Sequence, residues 1–142
     1  MTARRFGSQP PLARQLFLAS RWFDEESREA LTRRGWPRLS AAQTGLFAYL
    51  DEGGIPPAEL ARRLGNTRQA TSELVAGLVR LDLLQVLDDP QRRGGRLVCV
   101  TERGRELALD AYEILIGLEG RLSAGAVTAL RELLVEIPPP AG

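Results

Sequence analysis

The sequence predicts a mainly α-helical chain of about six helices with one small β-hairpin, and three observations carry that prediction. Apolar residues recur at helical spacing in separate stretches along the chain. Those stretches are bounded by cap residues, prolines or glycines. One region, 84–101, departs from this spacing and reads as two short apolar runs around a turn-rich, arginine-bearing centre. The length of 142 residues, with 44% hydrophobic and 26% charged, suits one domain with a real core.

Residues 10–34 carry Leu12, Leu16, Ala19, Phe23 and Ala30 close to helical spacing. Pro10 and Pro11 mark the start, and Gly35 with Pro37 marks the end. Ser40 followed by Gln43 is a capping-box pattern: Ser40 accepts from the Gln43 amide, and the Gln43 side chain reaches back. The helix it opens buries Leu46, Phe47 and Leu50 and stops at Asp51-Glu52-Gly53-Gly54. A short helix follows from Pro57 to Leu64, with Gly65 suited to the left-handed position after its end. Thr67 is a good N-cap for a helix over 68–81 with the stripe Ala70, Leu74, Leu78 and Leu81. The hairpin strands fall at 84–87 and 96–101. Thr101 caps a helix with the stripe Leu107, Ala111, Ile114, Leu115, Leu118 and Leu122. Ser123 caps a last helix bearing Val127, Leu130, Leu133 and Leu134, ended by Pro138-Pro139-Pro140.

Composition excludes much chemistry. All 19 basic residues are Arg, because the chain has no Lys and no His. Without His there is no Ser-His-Asp or Cys-His catalysis and no imidazole ligand for a metal. Without Lys there is no Schiff base and no phosphate-binding lysine of the Walker type. A single cysteine, Cys99, forms neither an internal disulfide nor a Cys-rich zinc site, and it reads as packing within a strand. No carboxylate pair is convincingly spaced, and Gly53-Gly54 and Gly94-Gly95 lack the strand–loop–helix context of a phosphate loop. The chain is therefore expected not to be an enzyme and to hold no metal or cofactor. No apolar run approaches a membrane span, so a soluble, cytoplasmic protein with no membrane partner is expected.

The net charge of +1 hides a sign change along the chain. Residues 1–14 carry +3, 15–61 carry −2, 62–105 carry +4 and 106–142 carry −4. The basic middle coincides with a short helix, a tight glycine turn, a longer helix and a basic hairpin, which is the order of a winged helix-turn-helix. In that arrangement the second helix enters a DNA major groove with its N-terminal residues on base edges. Here those residues are Thr67, Arg68, Gln69, Thr71 and Ser72. Arg suits guanine, Gln suits adenine, and the hydroxyls suit bases or phosphates. Arg92, Arg93 and Arg96 crowd the hairpin tip, where they are placed to clamp phosphates or enter a minor groove. Ser40 is expected at the DNA backbone.

At this point nearly the whole chain resembles the MarR family of bacterial transcription regulators. The segments LSAAQTGLFAYL, PPAELARRLGNTRQATSELVAGLVRL, the DDP hairpin and VTERGREL carry the resemblance. It implies a homodimer whose N- and C-terminal helices interleave, with two recognition helices on a pseudo-palindromic operator. It also implies a small-molecule effector site between the layers. The implied organisation is one regulator domain, 1–142, with a winged-helix core about 39–104 and a dimerisation layer about 8–36 plus 105–142. The expected function is a homodimeric, sequence-specific repressor relieved by a ligand; the alternative is a winged-helix protein-interaction module without direct DNA binding. Trp22, Phe23, Trp36, Phe47 and Tyr112 are candidates to line the effector pocket, with Arg21 or Arg38 to hold an acidic ligand.

Four positions depart from the family pattern. Counting back from Thr101 puts Arg92 and Gly94 where the family usually has the Asp and Arg that brace the wing. Asp82 stands where a helix-ending Gly is common, and Asp reaches the left-handed conformation at modest cost. Gly77 replaces a frequently polar residue of the recognition helix, which implies one backbone contact fewer.

Overall fold

The computed structural model describes residues 7–139. Arg4, Arg5 and Pro140, and the outer limits of the expected domain, lie outside the described residues. Six helices and one hairpin follow in the expected order: α1 (Leu12–Arg33), α2 (Ala41–Phe47), α3 (Pro57–Leu64), α4 (Arg68–Arg80), β1 (Leu84–Asp88), β2 (Arg96–Val100), α5 (Glu102–Glu119) and α6 (Ala124–Leu134).

The local stop and start signals act as expected. The Ser40 hydroxyl accepts from the Gln43 amide at 3.1 Å, and the Gln43 side chain accepts from the Ser40 amide at 2.8 Å, closing the capping box. Thr67, Thr101 and Ser123 each accept from the amide three residues on. Each such cap satisfies a donor that the first helical turn leaves free, worth about 1 kcal/mol. Gly65 ends α3 at φ +68°, and Asp82 follows α4 at φ +58°. α2 is shorter than the sequence pattern suggests. After Phe47 the backbone switches to bonds from Ala48, Tyr49 and Leu50 to the carbonyls three residues back, so Leu50 lies beyond the helix.

β1 and β2 pair antiparallel with Leu84 opposite Val100 and Asp88 opposite Arg96. Ile55 adds a single bridge to Val98, exchanging backbone bonds of 3.1 and 2.8 Å. One core joins all these pieces: Leu39, Leu46, Ile55, Leu60, Val75, Leu78, Leu83, Leu84, Val98 and Leu107. Burying each such side chain contributes about 1.5–3 kcal/mol. Gly104 of the VTERG segment lets α5 reach this core, because a Cβ there would collide with the Leu83 carbonyl oxygen. Thr101 strengthens the same junction by donating to the Asp82 carbonyl at 2.6 Å.

The remaining helices form a second, thinner layer. α1 and α5 share a small cluster of Leu31, Ile114 and Leu118, flanked by Trp22, Phe23, Ala30 and Trp36. Polar contacts hold the two helices in register: Trp36 Nε1 donates to Asp110 at 2.7 Å, and Arg34 pairs with Asp110 and Glu113 at 3.3 and 3.2 Å. α6 buries none of its residues and is tied to α5 by a bidentate Arg131–Glu119 contact at 2.7 Å.

Candidate nucleic-acid interface

The first half of α4 and the hairpin form the two walls of an open groove of about 500 Å³. Its floor comes from Pro56, Pro57 and Ala58 at the start of α3 with Val75, Val86 and Val98. Arg68, Arg92 and Arg96 stand along it, with Ser72 between them, and no acidic residue lines it. Three guanidiniums in a concavity without a carboxylate make a strongly electropositive surface. Guanidinium also suits phosphate oxygens and guanine edges geometrically.

The expected recognition residues divide by orientation. Arg68, Gln69 and Ser72 are exposed. Thr67 is consumed as the N-cap, its hydroxyl accepting from Ala70 at 3.1 Å. Thr71 corrects the expected helix stripe. It is 2% exposed, and its hydroxyl donates to the Thr67 carbonyl at 2.9 Å, whereas Ala70 is exposed. The buried face of α4 is Thr71, Val75 and Leu78, turned by one residue from the stripe that began at Ala70. Thr71 tolerates burial because its hydroxyl is satisfied within the helix by the Thr67 carbonyl. Thr71 lines the same groove as Arg68 and Ser72.

At the hairpin, Arg92, Arg93 and Arg96 are all exposed. The brace that the sequence pattern displaces is supplied one register further in: Arg96 Nη1 meets Asp88 Oδ1 at 3.1 Å, directly across the two strands. Both side chains are well exposed, so the pair orients Arg96 more than it stabilises the fold. Arg92 and Arg93 have no carboxylate within ion-pair distance among the described residues. The tip itself is built by Asp89, whose side chain accepts from the Gln91 amide at 2.9 Å.

On the other flank of α4, Ser40, Gln43, Asn66, Glu73 and Arg80 line a second, shallower groove. Ser40 is exposed there at the N-terminus of α2. Gly77 sits where α4 passes that helix, and an added Cβ would lie 3.2 Å from the Gln43 amide nitrogen. Its smallness therefore serves packing against the capping box.

The expected aromatic pocket is only partly assembled. Phe23, Phe47 and Tyr112 do line one cavity, of about 460 Å³, between α1, α2 and α5. Trp22 and Trp36 do not. Trp22 packs edge-on to Phe23 with centroids 4.8 Å apart and lies under Arg121, while Trp36 bonds Asp110 and lies under Arg103. Arg21 and Arg38 do not line the cavity either, and its one charged lining residue is Asp24. Cys99 is half-buried in β2, its thiol 3.8 Å from the Leu97 carbonyl. Among the described residues no group of three or more His, Cys, Asp or Glu side chains is placed to hold a metal, and no helix is long and apolar enough to cross a membrane.

A braced helix pair, a recognition-type helix and a basic hairpin together define a winged helix-turn-helix protein. Residues 39–94, from just before α2 to the hairpin tip, match the MarR family model, so that over this segment the chain is similar to that family. The reduced form of MarR from E. coli superposes with a TM-score of 0.73, covering 94% of this chain and 100% of that one at 24% identity. CouR from Rhodococcus jostii RHA1, solved bound to p-coumaroyl-CoA, gives 0.66 over 90% of this chain and 92% of that one at 22% identity. At these identities the likeness is one of fold. An uncharacterized protein of Mycobacterium tuberculosis, Rv2011c, is 29% identical over 97 residues, 68% of this chain and 62% of the relative. The match thus spans less than two thirds of that relative's length.

Proposed function

We propose that this protein is a homodimeric, sequence-specific DNA-binding regulator, acting as a repressor that a small molecule releases. The observation that carries the reading is the groove between α4 and the hairpin, with Arg68, Arg92 and Arg96 and no acid along it. Arg68, Gln69 and Ser72 take the base-edge role, and Arg92, Arg93 and Arg96 take phosphates beside the site, with Ser40 at the backbone. Thr67 and Thr71 act by fixing the helix that presents them.

Dimerisation is supported by apolar surface that the single chain leaves uncovered. Leu12, Phe17 and Leu18 of α1, Leu109 and Ile116 of α5, and Leu130, Leu133 and Leu134 of α6 are each between 44% and 65% exposed. Apolar residues so grouped on three helices of one layer mark an interaction surface. A second copy satisfies it by two-fold symmetry and sets two recognition helices about one DNA turn, ~10 bp, apart. On this reading the chain divides into a reading head, about 39–104, and a dimer layer, about 8–36 plus 105–142. Effector release is supported by the α1–α2–α5 cavity, which lies where layer and head meet.

The test is a mobility shift with the DNA upstream of the protein's own gene across a salt series. Binding is expected to fall steeply with salt. Arg92→Ala combined with Arg93→Ala should weaken all sequences alike and flatten the salt slope by about two, while Gln69→Ala should change base preference. Absence of any shift at low salt, with a protein partner co-purifying instead, would favour the interaction-module reading.

A further inference from the structure

Resting on the reading of the α1–α2–α5 cavity as an effector site, the geometry points to the class of molecule it takes: an apolar body carrying an uncharged or cationic hydrogen-bond donor, and not an organic acid. At about 460 Å³ the space suits a small drug-sized molecule. Its walls are chiefly apolar, with Phe23, Phe47, Leu107 and Leu115 among them. Asp24 is the one acidic or basic residue of the lining, beside Ser20, Ser27, Thr44 and Tyr112.

Asp24 is held in place from behind. Its Oδ1 accepts from Thr44 at 2.7 Å, and its Oδ2 accepts from Arg28 at 3.0 Å, with Arg21 at 3.7 Å. Arg28 is itself nearly buried and also donates to the Leu39 carbonyl at 3.4 Å. Neither arginine lines the cavity. What a bound molecule meets is therefore a fixed carboxylate with acceptor capacity left over, since two oxygens offer about four lone-pair sites. A donor completes that set. A ligand carboxylate placed there has no donor among charged lining residues and faces a like charge in an apolar surround.

Three molecules with one ring system separate these cases: tryptamine, tryptophol and indolepropionate. Titrated into the full chain at neutral pH and read by amide chemical shifts, tryptamine and tryptophol should bind at least ~10-fold more tightly than indolepropionate, about 1.4 kcal/mol. Asp24→Asn should remove the preference for tryptamine over indolepropionate. Ala108→Phe, at an exposed position on the cavity wall, should abolish binding of all three without touching the Asp24 network. Tighter binding of indolepropionate, or no binding of any of the three, overturns the inference. Those results leave the DNA-binding reading standing if the same preparation still shifts DNA; loss of the shift itself strikes the reading of function.

Discussion

The reading head and the helical layer differ in how they satisfy their apolar residues. In the head, residues from α2, α3, α4, the hairpin and the first turns of α5 close one core, with Leu46, Leu60, Leu78, Leu83 and Val98 fully buried. In the layer, Leu31, Ile114 and Leu118 make a small cluster, and α6 buries nothing. The charge differs as well: residues 62–105 carry +4 and 106–142 carry −4. The head closes its own core and carries the positive charge, whereas the layer leaves apolar side chains of α1, α5 and α6 exposed and carries the negative charge.

Mutations can break this comparison in order of size. Leu60→Ala empties a fully buried site in the head and should cost about 2–5 kcal/mol, read as a lowered midpoint in urea unfolding. Leu130→Glu with Leu133→Glu puts charge on the α6 face. It should weaken self-association by about 2 kcal/mol or more, roughly 30-fold, seen by sedimentation, while circular dichroism stays helical. Unchanged association would mean that this face is not where copies meet. Thr67→Ala removes the cap of α4 and should cost about 1 kcal/mol, with a larger loss in DNA affinity than in stability because the frayed turn carries Arg68. Asp88→Asn should change stability by less than about 1 kcal/mol, since its pair with Arg96 is exposed. DNA affinity should hold or rise as Arg96 is freed.

What the sequence shows plainly is whatever depends on neighbours in the chain. Pro57, Gly65, Thr67 and Thr101 each act within one helical turn, so the bounds of α3 and α4 and the start of α5 are readable to a residue or two, whereas α5 ends at Glu119, three residues short of the expected Leu122. The left-handed Asp82 is readable for the same reason. Orientation is less so. Ala70 and Thr71 are equally compatible with helical spacing, and how α4 packs on the rest of the head, not its own sequence, makes Thr71 the buried one. Long-range pairing is least readable. Trp22 and Trp36 are as aromatic as Phe23, yet their faces of the chain meet Arg121 and Asp110 rather than the cavity. Asp24 gains its place through Thr44, twenty residues away, and nothing local announces it. The Asp88–Arg96 brace was open to discovery from the sequence, because strand register fixes it once the hairpin is aligned.

The proposed dimer would present its basic head twice to one duplex. Hydroxyl-radical footprinting on DNA selected from random sequences tests it most directly. Two protected patches are expected on one face of the duplex, about one turn or ~10 bp apart, both fading as salt rises. A single isolated patch, or none at low salt, would contradict it.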